Sequence, residues 1–397
     1  MKLAARAAVP AGSGPFVVLL EDAAGPWRAP PERRGVIASA PVPPGEFRCV
    51  FVRRPDDAPA DAVVLPADLS YLKVGDIVRV YPQSGIIRVL YRQDSPHNAL
   101  LLTERCNSRC LMCSQPPKEA DDGYLVEELL AAIPLMSPGT TQLGFSGGEP
   151  TLLGNRLVEL LRCARHHLPQ TALHVLSNGR LLRFLPYAKR IAEVGHPDLM
   201  FGIPLYADTA AEHDFVVQSR GAFQETLLGL LNLGRAGIRV EIRVVIHRET
   251  FARLPQLARF ITRNLPFVDQ VVLMGLELMG FARTNLRSLW IDPLEYASEV
   301  AEAVEVLDAA GLRVRIYNHA LCLLKPEMRR YAVRSISDWK NIFVDACGPC
   351  AAKSRCCGFF ASARLRMSEN IAAINESEFV SSSDTDATPG RDNVHPR

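Results

Sequence analysis

The sequence predicts an α/β protein whose centre is a partial (β/α)6 barrel, a curled parallel sheet with helices on its outside. From about residue 98, apolar strand-like runs alternate with helical stretches, which is typical of a parallel sheet. Residues 244–246 are apolar without alternation, as expected for a strand buried on both faces. Polar and glycine-rich motifs stand where several of these strands end, which is where ligands bind in such folds.

Six strand–helix units are predicted between residues 98 and 312. Helical patterns follow the first two strands, at residues 126–130 and 157–167. Right-handed crossovers between such units curl the sheet, and six units fall short of the eight in a closed barrel. The six strands are expected near residues 99–103, 142–146, 172–176, 199–205, 239–246 and 270–276.

Smaller modules flank the predicted barrel. Residues 1–97 are predicted to form a β-rich module, because alternating runs at 72–81 and 86–91 flank a Pro-Gln-Ser-Gly turn, as in a β-hairpin. Residues 313–374 are expected to form a C-terminal cysteine-rich module. Residues 375–397 have many Ser, Asp and Glu and few apolar residues, so we expect a disordered tail.

Composition excludes several functional classes. The chain has 397 residues, enough for one large domain and one or two small ones. Its 45 basic and 43 acidic residues give a net charge of +2, so no bulk field favours nucleic acid or an anionic membrane surface. No apolar run approaches the roughly 18 residues of a membrane span. Prolines and glycines interrupt the region after the basic N-terminus, which does not suit a signal peptide. We expect a cytoplasmic protein without nucleic-acid or membrane partners.

Three cysteines follow the first barrel strand with the spacing C-x3-C-x2-C, namely Cys106, Cys110 and Cys113. In a cytosolic enzyme such cysteines indicate metal or redox ligands. Three thiolates can hold three irons of a four-iron cluster and leave one iron open, whereas most iron–sulfur electron carriers use four cysteines. An open iron indicates chemistry rather than electron storage. A zinc site is the alternative, although zinc takes four ligands and usually paired C-x2-C spacings.

The second predicted strand ends in Gly147-Gly148-Glu149-Pro150. Paired glycines let the backbone come close to a ligand. An isolated segment of this kind would be a common turn, but here it follows the cysteine triplet by about thirty residues and ends a strand. The segment therefore supports a ligand site beside the cysteines.

Candidate polar residues also belong to later strands. Ser177 and Asn178 end the third strand, and for Ser177 the capping of a turn is the alternative role. Arg243 lies within the apolar fifth strand, where an inward side chain could pair with a carboxylate. An edge or outer-face position is the alternative for Arg243. Tyr206, after the fourth strand, is a weaker candidate for the wall of the site.

Taken together, these motifs resemble those of the radical S-adenosylmethionine (radical SAM) superfamily. The resemblance implies a [4Fe–4S] cluster on Cys106, Cys110 and Cys113, with the methionine part of SAM on the open iron. One-electron reduction then gives a 5′-deoxyadenosyl radical, while the protein binds, orients and excludes water. A low-potential electron donor of the flavodoxin or ferredoxin type is the implied partner.

The resemblance also implies roles for the other candidates. The segment Gly147-Gly148-Glu149-Pro150 would meet the amino group of SAM, Ser177 and Asn178 its ribose, and Arg243 its carboxylate. Met112 stands where the superfamily usually has an aromatic residue that contacts adenine. Methionine is polarisable and apolar, so it remains able to pack on the ring.

A second cysteine group resembles the auxiliary-cluster pattern of the SPASM and twitch extensions of radical SAM enzymes. Cys347, Cys350 and Cys356 have the spacing C-x2-C-x5-C, and Cys322 would supply a fourth ligand. Four cysteines close a [4Fe–4S] cluster, which suits electron relay or substrate positioning. A structural zinc site is the alternative. Cys357 has no assigned role.

Several strings narrow the resemblance to the radical SAM maturases of the His-Xaa-Ser peptide system, the HxsC type. It covers roughly residues 70–370 and implies modification of a ribosomally made precursor peptide with His-Xaa-Ser repeats, alongside a second radical SAM maturase. An extended peptide would dock by adding to the edge of the N-terminal β module. The alternatives are an activator of another protein, of the sulfatase-maturase kind, and a non-catalytic iron–sulfur or zinc sensor. The strings lie at residues 102–106, 110–117, 147–153, 174–180, 335–341 and 356–360.

Overall fold

The N-terminal quarter of the chain folds into a mixed seven-stranded sheet. The computed structural model describes residues 2–9, 14–39, 42–43, 45–54, 61–334 and 341–381. The strands are β1 (Ala4–Arg6), β2 (Phe16–Glu21), β3 (Arg34–Ala38), β4 (Cys49–Val52), β5 (Val63–Val64), β6 (Ile77–Tyr81) and β7 (Ile86–Tyr91). Their spatial order is β1-β7-β6-β2-β3-β4-β5. The predicted hairpin is confirmed, since β6 and β7 pair in antiparallel orientation.

One buried carboxylate joins this sheet to the first helix of the barrel, α1 (Tyr124–Ala132). Glu128 is 1% exposed, and its Oε2 lies 2.9 Å from Arg79 Nη1 and 3.2 Å from the Tyr81 hydroxyl. Its other oxygen pairs with Arg88. A buried carboxylate is stable only when it is paired and hydrogen-bonded, so these contacts fix the sheet against α1.

Seven parallel strands, hydrogen-bonded in chain order, form the central sheet. Large apolar side chains such as Phe145, Phe201 and Ile242 are completely buried on one face, within the main hydrophobic core. Six of the strands lie where the sequence predicts them, which confirms the α/β class with a parallel sheet. The strands are β8 (Asn98–Leu101), β9 (Gln142–Ser146), β10 (Ala172–Leu176), β11 (Leu199–Pro204), β12 (Arg239–Val245), β13 (Gln270–Met274) and β14 (Arg313–Tyr317).

The seventh strand departs from the sequence analysis, which counts six strands and assigns residues 313–317 to the C-terminal module. In the structure β14 pairs in parallel with β13, with Arg313 opposite Gln270. Val314 and Ile316 are buried in the barrel core. A run of alternating residues shows that a strand forms, but its pairing partner decides to which sheet the strand belongs.

Helices cover the outer face of the barrel sheet. In α6 the apolar residues Leu254, Leu257, Ala258 and Ile261 are buried, which is the stripe expected of a helix packed on a sheet. No helix in the described part of the chain is long and apolar enough to cross a lipid bilayer. The helices after α1 are α2 (Asn155–His167), α3 (Leu185–Ala192), α4 (Ala210–Val217), α5 (Ala222–Arg235), α6 (Leu254–Asn264), α7 (Gly280–Thr284), α8 (Leu286–Leu289), α9 (Ala297–Ala309) and α10 (Glu376–Ser381).

Beyond β14 the chain folds against the end of the barrel and forms a two-stranded antiparallel sheet from β15 (Asn341–Ile342) and β16 (Phe359–Phe360). We expected disorder from residue 375, but the first residues of this tail are ordered. They form α10, and Glu378 pairs with Arg329 at 2.7 Å. A charged segment becomes ordered when it finds such a partner. The rest of the predicted tail, residues 382–397, and residues 335–340 of the HxsC-type strings lie outside the described residues.

Candidate active site and second cysteine site

The cysteine loop, residues 103–122, leaves the end of β8 and is closed at its base by one aspartate. Asp122 Oδ2 accepts hydrogen bonds from Thr103 Oγ1 at 2.7 Å and from the Glu104 backbone N–H at 2.6 Å. Thr103 and Asp122 are 0% and 2% exposed. The two ends of the loop are therefore held together in the protein interior, with the three cysteines between them.

Two glycines at the end of β9 bring a second backbone segment against this loop. The N–H of Gly148 donates to the Thr103 carbonyl at 2.8 Å, and that of Glu149 donates to the Arg105 carbonyl at 2.8 Å. A Cβ atom on Gly148 would lie 2.2 Å from the Arg105 carbonyl oxygen, and one on Gly147 would lie 2.4 Å from that of Thr103. Only glycine allows this approach, which explains the paired glycines of the motif.

The three thiols of the cysteine loop lie near one another and are partly buried. Burial, followed by the charges of the neighbouring cysteines, raises the pKa of Cys110 to about 12. Burial likewise raises the pKa of Cys106 to about 11 and also raises that of Cys113. The thiols are thus protonated at neutral pH before a metal binds, and metal binding must release their protons.

Glu149 is completely buried, and both oxygens of its carboxylate accept hydrogen bonds from neighbouring residues. Oε1 accepts from the Thr151 N–H at 2.9 Å and from the Ser177 hydroxyl at 2.7 Å, and the Thr151 hydroxyl also donates to it. Oε2 accepts from the Asn178 N–H at 2.6 Å. Burial raises the pKa of Glu149, while these hydrogen bonds lower it. Glu149 therefore joins the end of β9 to the turn after β10.

The side chains of Ser177 and Asn178, the predicted ribose-facing pair, form hydrogen bonds with other residues of the chain. The Ser177 hydroxyl donates to Glu149 and accepts from the Gly179 N–H at 3.0 Å, which is the capping role considered as the alternative. The Asn178 side-chain Nδ2 donates to Asn107 Oδ1 at 2.6 Å and lies 3.9 Å from Cys106 Sγ. The turn after β10 thereby contacts the cysteine loop directly.

Met112 lies within a small apolar cluster beside the cysteines. It is 6% exposed and packs with Tyr206, Leu289 and the partly buried Cys110 and Leu276. The pKa of the Tyr206 hydroxyl is raised well above its usual value, by burial and then by the nearby thiols. Met112 and Tyr206 therefore form an apolar wall next to the cysteine loop.

Arg243 points into the concave side of the barrel, which decides between the two positions left open by the sequence. Its Nη1 donates to Glu241 Oε1 at 2.6 Å, and Glu241 Oε1 lies 3.4 Å from His174 Nε2 on β10. Arg243 and Glu241 lie on β12, and β11 separates this strand from β10. Gly202 on β11 has no side chain, which leaves room for Arg243 and His174 above it. The sequence analysis did not single out Glu241. Its signal was a charge two residues before Arg243, on the same strand face.

The four predicted cysteines of the C-terminal module come together. Cys322, Cys347, Cys350 and Cys356 line one cavity. Backbone N–H groups point at their sulfurs: those of Leu321 and Gly358 donate to Cys356 at 3.4 and 3.3 Å, and that of Ile374 donates to Cys350 at 3.4 Å. Four thiols with N–H donors are a suitable ligand set for an iron–sulfur cluster, whose properties depend on such hydrogen bonds.

In the described part of the chain, no three His, Cys, Asp or Glu side chains converge as the ligands of one metal ion would. The thiolates of a four-iron cluster bind different irons and so stand apart around it. Cys357 is not among the residues that line the second cavity. Its thiol is 4% exposed and donates to the His319 carbonyl at 3.1 Å. Interaction with the neighbouring Cys357 lowers the pKa of Cys356.

A larger cavity lies between the two cysteine sites, at the ends of β13 and β14. Aromatic side chains, among them Trp290 and Phe359, line it together with Arg366. The Arg366 guanidinium lies 4.6 Å from the centre of the Trp290 ring. Tyr296 and His319 also line it and are joined by a hydrogen bond of 2.9 Å between the phenol and Nε2. The cavity combines apolar walls with a few fixed polar groups, as ligand sites do.

Comparison with known families identifies the barrel. The family model for the Radical SAM superfamily matches residues 100–261. Residues 100–261 form a radical SAM domain. This match includes the cysteine loop, the Gly147-Gly148-Glu149-Pro150 segment and Arg243, and it confirms the superfamily predicted from the motifs.

The radical SAM domain has relatives of several activities. Fe-coproporphyrin III synthase of Methanosarcina barkeri is 31% identical over 159 residues, 39% of this chain and 38% of that protein. PqqA peptide cyclase of Gluconobacter oxydans is 27% identical over 225 residues, 55% of this chain and 60% of that protein. The chain thus spans less than two thirds of the length of each. Native anSMEcpe with bound AdoMet has the same fold, with a TM-score of 0.50, 14% identity, and coverage of 72% of this chain and 94% of that one.

The residues of this radical SAM domain fit the cofactors of the superfamily, a [4Fe–4S] cluster and SAM. Three neighbouring thiols on one loop supply three ligands and leave one iron free. The glycines that admit the backbone of β9 lie against this same loop. The expected pair of cofactors at Cys106, Cys110 and Cys113 is therefore consistent with both the family and the geometry.

Proposed function

We propose that this chain is a radical SAM enzyme that modifies a ribosomally made precursor peptide with His-Xaa-Ser repeats. The observation that carries the catalytic part is the contact between the three-thiol loop and the glycine segment of β9, where Gly148 N–H meets Thr103 O at 2.8 Å. The peptide part is supported by similarity to a peptide cyclase and by the HxsC-type strings.

In this proposal the protein binds and orients the reactants. The thiols of Cys106, Cys110 and Cys113 hold the cluster at the end of β8. When bound, the cluster and SAM supply a 5′-deoxyadenosyl radical that abstracts hydrogen from the peptide. Met112 closes one side against water, because it is buried in the apolar wall. Arg243, oriented by its 2.6 Å contact with Glu241, offers a cation to the carboxylate of SAM.

The segment after β9 is assigned to SAM through its backbone. Gly147 and Gly148 bring this backbone to the cysteine loop, and Pro150 starts the turn that follows. The side chain of Glu149 acts indirectly, since its hydrogen bonds hold Ser177 and the Asn178 backbone. Ser177 and Asn178 are accordingly assigned to shaping the ribose side of the site.

We assign the peptide to the cavity between the two cysteine sites. Leu276 and Leu289 line this cavity and also pack in the apolar wall that contains Met112. On the opposite side the cavity shares Ala320 and Phe359 with the second cysteine cavity. A peptide side chain bound here would lie between the cysteine loop and the second cysteine site. It would therefore be close to both clusters.

The second cysteine site is assigned an auxiliary [4Fe–4S] cluster. Its ligands are Cys322, Cys347, Cys350 and Cys356, which line one cavity. Four cysteine ligands leave no open iron, so the role of this cluster is electron relay or substrate positioning. A structural zinc site is the alternative, and measuring the iron and zinc content of the protein distinguishes the two.

Three partners follow from the same proposal. A flavodoxin- or ferredoxin-type protein supplies electrons at low potential, and a second radical SAM maturase acts on the same peptide. The peptide itself docks by strand addition to an edge of the N-terminal sheet, whose edge strands are β1 and β5. Hydrogen–deuterium exchange with and without peptide tests the docking: protection confined to the barrel would contradict it.

The catalytic proposal is tested by anaerobic reconstitution, reduction with dithionite and addition of SAM. We expect 5′-deoxyadenosine from the intact protein and none from the Cys106→Ala, Cys110→Ala, Cys113→Ala triple variant. Cluster-loaded protein that gives no 5′-deoxyadenosine would point to the non-catalytic sensor instead. A mass change in a His-Xaa-Ser peptide, absent with a scrambled peptide, tests the substrate and separates it from activation of another protein.

Iron analysis of the same triple variant tests the second cluster. About four irons per chain in this variant support an auxiliary [4Fe–4S] cluster. Zinc in place of iron contradicts it. Adding Cys350→Ala should remove the remaining iron, whereas Cys49→Ala, a buried cysteine of the N-terminal sheet, should leave it unchanged.

A further inference from the structure

We infer that Arg180 is a positioning residue for the cysteine loop and that its charge tunes the cluster bound there. This inference deepens the proposed function and rests on the loop being a cluster site. Arg180 follows the turn after β10 and its side chain is only 12% exposed. Its Nη1 donates to the Ser108 hydroxyl at 3.0 Å and to the Asn107 carbonyl. These two residues lie between the ligands Cys106 and Cys110.

The loop segment that Arg180 holds has few other supports. The later part of the loop is held by backbone contacts, in which the N–H groups of Arg109 and Leu111 donate to the carbonyls of Val217 and Val216 at 3.2 and 2.9 Å. The side chain of Arg180 contacts both Asn107 and Ser108, and that of Asn178 contacts Asn107. Loss of Arg180 should therefore loosen the loop between its first two ligands.

A carboxylate on α5 fixes the guanidinium in this position. Arg180 Nε donates to Glu225 Oε2 at 2.6 Å, and Arg183 pairs with the other oxygen of Glu225. Helix α5 itself lies close to the turn after β10, since a Cβ on Gly229 would come within 2.1 Å of the Gly179 carbonyl oxygen. One edge of the guanidinium thus meets a rigid helix and the other meets the cysteine loop.

The charge of Arg180 acts on the sulfur ligands as well. Its contacts with Asn107 and Ser108 place its positive charge beside the loop segment between the ligands Cys106 and Cys110. A nearby cation favours thiolate ligands and stabilises the extra negative charge of a reduced cluster. Partners just outside the ligands orient them and tune the metal, and their loss typically weakens metal binding or activity about 10-fold or more.

The test compares the full-length protein with Arg180→Gln and Arg180→Lys. Arg183→Gln is the matched control, because Arg183 also pairs with Glu225 but makes no hydrogen bond or ion pair to the cysteine loop among the described residues. Before cluster loading, hydrogen–deuterium exchange of residues 105–110 should be faster in Arg180→Gln and unchanged in Arg183→Gln. After loading, the SAM-responsive cluster should have a more negative reduction potential in Arg180→Gln. Arg180→Lys keeps the positive charge but not the guanidinium group. It should therefore restore the reduction potential more fully than the exchange rate.

The outcomes separate this inference from the proposed function. Unchanged exchange and potential in Arg180→Gln overturn it, and so do equal changes in Arg183→Gln, which would assign the effect to α5 alone. If wild-type protein forms no 5′-deoxyadenosine, the proposed function fails, while the exchange measurement still decides the role of Arg180. A thermal melt of Arg180→Gln identifies any general loss of folding.

Discussion

The carboxylate of Glu149 accepts a hydrogen bond from the backbone N–H of Asn178, with 2.6 Å between Oε2 and N. This contact joins the ends of β9 and β10 beneath the cysteine loop. A glutamate that motif comparison assigns to SAM is therefore also a structural link between two strand ends. Its side chain has no exposed surface.

Replacing Glu149 by Gln is expected to lower the free energy of unfolding by about 1–3 kcal/mol. The amide has one acceptor oxygen, so a donor from Ser177, Asn178 or Thr151 would face an N–H group instead. Urea denaturation measures the effect. Glu159→Gln on α2 is the control, because that side chain is 48% exposed. Equal stability of the two variants would show that the buried hydrogen bonds of Glu149 do not matter.

Replacing Gly148 by Ala is expected to prevent cluster loading at the cysteine loop, since the new Cβ would lie 2.2 Å from the Arg105 carbonyl oxygen. Two backbone segments would have to separate. The absorbance and EPR signal of the SAM-responsive cluster report the loss. Gly144→Ala, within the preceding strand β9, is the control, because the nearest atom to its Cβ would be 3.5 Å away. Normal loading of Gly148→Ala would contradict the close-packing argument.

Replacing Glu128 by Gln is expected to destabilise the protein by about 3–5 kcal/mol, because Arg79 and Arg88 would lose their buried counter-charge. The neighbouring Glu127→Gln should change stability by less than about 1 kcal/mol, since Glu127 is 68% exposed. Chemical denaturation compares the two. A small effect at both positions would mean that the N-terminal sheet is held on α1 by apolar contacts instead.

Replacing Arg243 by Ala is expected to weaken SAM binding about 10-fold or more, as the loss of a charged hydrogen bond implies. Isothermal titration of cluster-loaded protein measures it. Arg239→Ala is the control on the same strand, where the side chain is 42% exposed and pairs with Asp198 at the surface. An analogue of SAM without the carboxylate should bind wild type and Arg243→Ala alike. A persistent difference with that analogue would reject the carboxylate assignment.

His247 is expected to make the protein less stable in mild acid. Burial lowers the pKa of His247 to about 4, whereas an unfolded imidazole titrates near 6.5. Between these values the unfolded state binds more protons, so stability is present above pH 6.5 and is lost as the pH falls towards 4. The linkage predicts a loss of about 2 kcal/mol from this group between pH 7 and pH 5.

The variant His247→Leu tests this dependence by urea denaturation at both pH values. Neither ring nitrogen of His247 has a hydrogen-bond partner among the described residues, so removing them should not destabilise the protein at pH 7. The difference between the two pH values should shrink by the share assigned to His247. An unchanged difference would mean that other buried groups, such as His213, dominate.

Much of the barrel was predictable because its signals are local. Six strands and the helices after the first two follow from apolar runs and their period, and the observed bounds agree within a few residues. The seventh strand was assigned to the C-terminal module instead of the barrel, because the sequence of residues 313–317 does not indicate which sheet the strand joins. Disorder was expected where α10 forms, because the ion pair between Glu378 and Arg329 joins distant parts of the chain.

The sequence by itself determined the chemistry of the radical SAM domain: three cysteines at fixed spacing, paired glycines at a strand end, and the strand order that brings them together. These features depend on residue type and on neighbours along the chain. Only the tertiary structure decided that Glu149 links two strand ends, that Glu241 orients Arg243 inside the barrel, and that four later cysteines line one cavity. Each of these depends on contacts between residues far apart in sequence, and no local pattern specifies which partner a buried charge or thiol will meet.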